Sequence, residues 1–169
     1  MAKGIFIAEN MASTKVGSLL RSAIQATAIE NGAIVTLGDL ATGEIDLYKS
    51  GAVAAITDTI YLVDGVEVVY DETTVKGLDD YENVANKAFR VRKPAVGDRF
   101  SISASMITAL ADAPVKGNLV ETAAGNKLAE VAKATGLTAT VSFGARIVET
   151  WTFGSRAIPM VRLEVIKVA

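Results

Sequence analysis

The side chains able to do acid, base or metal chemistry in this chain are carboxylates, amines, guanidiniums and hydroxyls, because its 169 residues include no histidine and no cysteine. Without imidazole there is no Ser-His-Asp or Cys-His arrangement and no imidazole general base. Without imidazole or thiolate ligands there is no ordinary zinc, blue-copper or iron–sulfur site. What remains to an enzyme is a carboxylate pair, a Ser-Lys pair or a carboxylate-bound Mg²⁺. The densest acidic group is Asp71, Glu72, Asp79, Asp80 and Glu82, within "DETTVKGLDDYENVANKAF". It lacks the spacing and the central glycine of a calcium loop, and acids near a helix N-terminus are accounted for by the helix dipole. The serines of "PAVGDRFSIS" (94–103) have no base near them in sequence. "GNKLAEVAKATG" (125–136) lacks the Gly-Lys-Ser/Thr ending of a phosphate-binding loop. The expectation is a protein that is not an enzyme and uses no cofactor and no metal.

Binding chemistry is the next possibility. Lys87, Arg90, Arg92 and Lys93, with Phe89 among them, form the densest basic stretch. Nucleic-acid binders need a clustered positive excess, because phosphate contacts supply most of their affinity. Here 17 basic and 19 acidic residues are mixed and the formal net charge is -2. The stretch reads as a solvated strand edge whose charge blocks aggregation, and no nucleic-acid partner is expected. Carbohydrate-stacking surfaces favour exposed aromatics, for which Trp151, Tyr48, Tyr61, Tyr70 and Tyr81 are the candidates. Aromatics make up 6% of the chain, which does not favour a stacking platform. No stretch approaches 18 continuous apolar residues. The opening "MAKGIFIAENMAS" has too short an apolar run for a signal sequence. No membrane partner is expected, and the lack of cysteine fits synthesis in a reducing cytoplasm.

The elements that must carry these residues are mostly short strands. Half of the residues are hydrophobic and 21% are charged, a globular composition with ample core. "AIENGAIVTL" places Asn31-Gly32 between apolar flanks, and "DTIYLVDGVEVVYD" does the same with Asp64-Gly65; both are hairpin signals. Ile60, Leu62, Val66, Val68 and Tyr70 are expected on the buried faces of the second. Thr42-Gly43 is a turn, with Ile45 and Leu47 on one face. Residues 71–93 read as a connection with one short helix, from Leu78, Tyr81, Val84 and Ala85. Pro94 and Val96-Gly97-Asp98 lead into a half-buried strand with Phe100 and Ile102 inward and Arg99, Ser101 and Ser103 outward. Gly117-Asn118 opens another strand. Residues 125–136 are ambiguous; one reading is a helix capped by Asn126 and closed by Gly136. Val141, Phe143, Ala145, Ile147, Trp151 and Phe153 share a face of a long strand, with Glu149 as the exception and Trp151 expected mainly in the core. Gly154-Ser155 turns into a final strand carrying Val161, Leu163 and Val165.

Residues 1–27 stand apart. Val16, Leu19, Leu20, Ala23 and Ile24 follow helical spacing, while Gly17 and the nearby serines and threonines oppose a helix. The segment is either a short amphipathic helix on the core or an extended arm that docks on another subunit. The expected architecture is mainly β: a short-stranded sandwich or barrel-like domain (28–169, with a soft internal boundary near 71–93), preceded by the N-terminal arm (1–27) and accompanied by a few short helices.

The layout of an N-terminal segment, "ENGAIVTLG", "VYDE", "GDRFSIS" and the C-terminal hairpin "VSFGARIVETWTFGSRAIPMVRLEVIKV" resembles the auxiliary, decoration or cement proteins on the capsid exterior of tailed bacteriophages. The resemblance spans much of residues 28–169 as a diffuse pattern. It implies a virion structural protein, made in the host cytoplasm, that binds the major capsid protein lattice, stabilises the head, uses no cofactor and associates with copies of itself. On that reading the apolar residues of the arm, Ile5, Phe6, Ile7, Val16, Leu19, Leu20 and Ile24, are the partner-binding set. The alternatives are a host-surface or carbohydrate-binding module on the virion and, last, a carboxylate and Mg²⁺-dependent enzyme built on Asp79 and Asp80.

Overall fold

A computed structural model describes residues 3–66 and 78–169. Among them the chain forms β1 (Phe6–Asn10), β2 (Leu20–Ile24), β3 (Ile34–Leu40), β4 (Leu47–Gly51), β5 (Tyr61–Val63) and β6 (Ala88–Arg92). It continues with β7 (Arg99–Ser103), β8 (Ile107–Thr108), β9 (Leu119–Thr122), β10 (Leu128–Val131), β11 (Phe143–Phe153) and β12 (Ile158–Val168). The helical residues described are single 3-10 turns at Ala12–Thr14, Gly17–Leu19, Leu78–Asp80 and Ala104–Met106. Seven strands make one sheet in the order β1-β7-β12-β11-β9-β10-β8, and five close a barrel in the order β2-β4-β3-β5-β6. The mainly β, barrel-containing architecture is therefore the one expected from the alternating apolar pattern. One contiguous core crosses both sheets, from Phe100, Ile102 and Leu163 in the open sheet to Ala23, Val35, Leu62 and Val91 in the barrel. It runs through the soft boundary placed near 71–93.

The N-terminal segment is not a separate arm. β1 pairs antiparallel with β7, and Phe6 stacks on Phe100 with ring centroids 5.5 Å apart. Ile5 is fully buried against Ile158 and Met160. β2 is a stave of the barrel, parallel to β4 and antiparallel to β6, with Ala23 buried opposite Phe89. Residues 16–24 form a 3-10 turn and a strand, not a helix. Two unsatisfied strand neighbours outweigh a weak 3.6-residue periodicity already compromised by Gly17.

One hairpin signal marks another structure, and most of the strand expected after the second lies outside the described residues. Both neighbours of β2 are β4 and β6, so Asn31-Gly32 does not join β2 to β3. Gly32 does take a left-handed φ of 81°, but Asn31 is buried as a polar hub. Both edges of β5 are occupied, by β3 and β6. Val66, expected on a buried face, is 57% exposed; Val68 and Tyr70 lie outside the described residues. Ile45, expected to share a face with Leu47, is 93% exposed in the turn between β3 and β4. Residues 128–131 are a strand rather than part of a helix. Leu128 and Glu130 alternate inward, and the Glu130 carboxylate accepts three hydrogen bonds. The expected short helix near Leu78 is a single 3-10 turn.

The stretch "PAVGDRFSIS" makes its turn through Gly97 at a φ of 90°. Asp98 holds that turn from within. It accepts from the Ala95 N–H at 2.9 Å and reaches across to the Ala12 N–H at 2.8 Å. β7 is central rather than half-buried, lying between β1 and β12. Its serines point to protein, not solvent: the Ser101 hydroxyl donates to Glu9 at 2.6 Å, and Ser103 Oγ accepts from the Ile5 N–H at 2.8 Å. The β11–β12 hairpin turns at Gly154, as expected, and buries Ile147, Leu163 and Val165. A register shift between Ile147 and Glu149 carries Trp151 and Phe153 away from the main core, onto Ile5, Ile158 and Met160. Trp151 is half-buried there, with its ring edge-on to Phe153.

Candidate protein-binding cleft

The carboxylates and cations singled out in the sequence are mostly structural cross-links. Asp64, just past β5, pairs with both Arg90 and Arg92 of β6. Arg92 is only 7% exposed and also donates to Ser13 Oγ at 3.2 Å. The basic stretch therefore does not guard a sheet edge. β6 has a neighbour on each side, and a buried guanidinium is tolerable there because a carboxylate and a hydroxyl receive its protons. Asp79 is buried and takes Arg156 at 2.5 Å, from the β11–β12 turn; Asp80 takes the same guanidinium at 3.4 Å. Hydrogen bonding to Asp79 holds the Arg156 pKa above its ordinary value. Glu82 pairs with Lys3 at 2.6 Å. Asp71 and Glu72 lie outside the described residues. Among the described residues no group of three or more acidic side chains is placed to hold a metal ion.

On the open sheet the charges form cross-strand rows. Arg162 of β12 donates to Glu9 of β1 and pairs with Glu149 of β11. Glu164 accepts from Arg146 at 2.5 Å and from Arg99 at 3.0 Å, which together hold its carboxyl below the usual range. Such pairs fix strand register more than they add stability.

A different surface opens on the barrel. A cleft of about 920 Å³ lies over β2 and β6. The alternation that buries Ala23, Phe89 and Val91 turns Leu20, Ser22, Ala88 and Arg90 outward to its floor. Tyr81, Asn83 and Val84, beyond the 3-10 turn at Leu78–Asp80, form one wall, and Val66 and Asp46 contribute to the rim. Asn83 is rigidly placed, because its backbone pairs with Ile29 and its amide donates to Ile29 and Asn31. Val66 and Val84 are 57% and 63% exposed. Two further cations, Arg21 and Lys87, line the same cleft.

The expected partner-binding set divides. Ile5 and Phe6 are enclosed in the chain's own core, and Ile7 packs on the Ile5 cluster. Leu20 lines the cleft and Val16, 45% exposed, adjoins it through Gly17. Leu19 and Ile24 are half-buried on and beside β2. Lys87 belongs to the basic stretch of the sequence and Val66 to an expected buried face, while Val84 and Arg21 carry no site expectation. The only sequence signal of Val66 and Val84 is an apolar residue at the solvent side of a strand or loop, which is common on any protein surface. Of the aromatic candidates, Tyr81 lines the cleft, Tyr48 and Tyr61 are half-buried on barrel strands, and Tyr70 lies outside the described residues.

No family model, curated protein or solved structure matches the chain.

Proposed function

We propose that this protein is a structural component of a virion, binding the outside of a bacteriophage capsid lattice and stabilising the head. The observation that carries the reading is the cleft over β2 and β6, where Leu20, Val66 and Val84 present apolar surface to solvent in one place. Contiguous exposed apolar surface with a polar rim is the mark of a protein-contact site. The resemblance of the sequence to capsid auxiliary proteins supports the identity of the partner, the major capsid protein. A chain whose charged side chains cross-link its strands suits a rigid module on a particle surface. Burial there is worth about 25 cal/mol per Å² before ordering costs. A lattice repeats the contact many times, so modest affinity per copy suffices.

The enzyme reading is weaker, because Asp79 and Asp80, the carboxylates it would use, are engaged by Arg156. For the reading of a carbohydrate-binding module, the aromatics lining the cleft among the described residues are Tyr81 and the buried Phe89, a poor stacking surface.

The test is a titration of empty phage heads with the purified protein, followed by sedimentation. Saturable co-sedimentation at a fixed number of copies per head is expected. A protein that stays in the supernatant at every concentration overturns the reading.

A further inference from the structure

We infer that the cleft over β2 and β6 takes an extended acidic segment carrying a large apolar side chain; the assignment of that segment to a capsid protein rests on the function proposed above. Three observations lead there. The barrel is closed, and β2 and β6 pair with each other across the cleft floor from Leu20–Arg92 to Ile24–Ala88, so the edges they share are not open to an added strand. Recognition at this surface must go through side chains.

The charge of the cleft is the second observation. The chain has seven arginines, and six of them pair with a carboxylate. Arg21 is the exception among the described residues, its guanidinium meeting only the Leu20 carbonyl. Lys87 also lacks an acidic partner among the described residues. Arg90 and Arg92 share the single carboxylate of Asp64, and Arg90 is the member that faces the cleft. Among the described residues the charged lining is Arg21, Lys87 and Arg90 against Asp46, a local charge of +2 on a chain whose net charge is -2. Complementary charge steers and selects a partner, and here it selects an acidic one.

The third observation is the apolar lining. Leu20, Val66 and Val84 have nothing to offer a phosphate backbone, but they fit a leucine-like or aromatic side chain between flanking carboxylates. A peptide is favoured over a nucleic acid for that reason.

The probe is an eight-residue peptide alternating aspartate and leucine, added to the ¹⁵N-labelled full chain. Controls are the same peptide with lysine for aspartate or serine for leucine, and an oligothymidine of equal length. The aspartate–leucine peptide is expected to shift the amide resonances of Ser22, Val84 and Ala88, and to weaken with added salt. Arg21→Glu combined with Lys87→Glu is expected to weaken it about tenfold. Asp46→Lys, at an exposed position, is expected to strengthen it, so the inference is tested even if the double variant misfolds. Equal or tighter binding of the lysine peptide or the oligothymidine overturns the inference, as do shifts confined to other surfaces. Self-association of the protein that the double variant abolishes also overturns it, by making a second copy the occupant. Sedimentation with heads separates the two proposals. A folded double variant that binds heads as the parent does overturns the cleft and leaves the virion function standing. A parent that binds the peptide but no heads overturns the virion function and leaves the cleft standing.

Discussion

The Asn83 side-chain amide donates to Asn31 Oδ1 at 2.9 Å, joining two buried residues 52 positions apart in the chain. The same Oδ1 accepts from the Gly65 N–H at 2.9 Å, and the Asn31 amide donates back to the Gly65 carbonyl at 3.1 Å. One side chain thus stands in for a strand neighbour at the end of β5, where the barrel meets the wall of the cleft.

Asn31→Ala leaves the Gly65 N–H, the Gly65 carbonyl and the Asn83 amide short of partners in a buried place. Each unsatisfied group costs about 1–3 kcal/mol, so a loss of several kcal/mol is expected in a urea melt. A variant within 1 kcal/mol of the parent (about what one surface hydrogen bond contributes) would show that water fills the gap.

Deletion of residues 1–27 removes β1 and β2. The barrel then opens along β4 and β6, and Phe100 loses its stacked partner Phe6. The truncated chain is expected to show no cooperative thermal transition by circular dichroism. A melt close to that of the full chain would show that the two strands are dispensable additions.

Glu130 gives the stability a pH dependence of known sign. Burial pushes its carboxyl up, but hydrogen bonds from the Val115 N–H, the Asn118 amide and the Leu110 N–H together hold it below the ordinary glutamate range. A carboxyl with a lowered folded-state pKa contributes stability above its unfolded value and loses it as pH falls through the folded one. Stability is therefore expected to fall on the acid side of the ordinary glutamate range. Glu130→Gln should flatten that limb and cost about 1–3 kcal/mol at neutral pH, because its amide faces a backbone N–H that needs an acceptor. Superimposable pH profiles of the two proteins would rule this out.

Trp151→Ala is expected to cost about 1–3 kcal/mol, less than a fully enclosed tryptophan, because the ring is half-buried. Its indole N–H is buried with no acceptor among the described residues. Trp151→Phe keeps much of the contact with Phe153 and removes that unpaired donor, so its cost should be clearly smaller. Equal losses for both variants would mean that the N–H is satisfied in solution. Binding to the aspartate–leucine peptide should be unchanged in either, since Trp151 does not line the cleft.

Alternation locates the long strands, but past the register shift of β11 it puts Trp151 and Phe153 on the wrong face. The C-terminal hairpin, with Gly154 at its turn and Val161, Leu163 and Val165 inward, is legible because eleven-residue strands average out exceptions. Short strands failed the same reading. In β10, Leu128 and Ala129 fit a helix as well as a strand, and only the loop donors that converge on Glu130 decide the matter. Asn31-Gly32 has the composition of a hairpin turn, but the strand before it belongs between β4 and β6, a pairing set by residues far along the chain. The cleft was the least legible feature. Arg21 and Lys87 come together only because β2 and β6 are neighbours, and nothing in either local sequence announces that pairing.

β7 lies between β1 and β12, so the strand at residues 99–103 has one neighbour synthesised before it and one well after it. As the chain leaves the ribosome, β1 and β7 can meet early, but Phe100 waits for Leu163 and Arg99 for Glu164. Until then the inner edge of β7 is an unpaired template of the kind that invites wrong partners. Contacts this distant also slow folding, since the loop must close before the pairing repays it. A nascent chain stalled before residue 158 is thus a predicted client for holdase chaperones, and early stop codons in the last strand should yield aggregates rather than a shortened working protein.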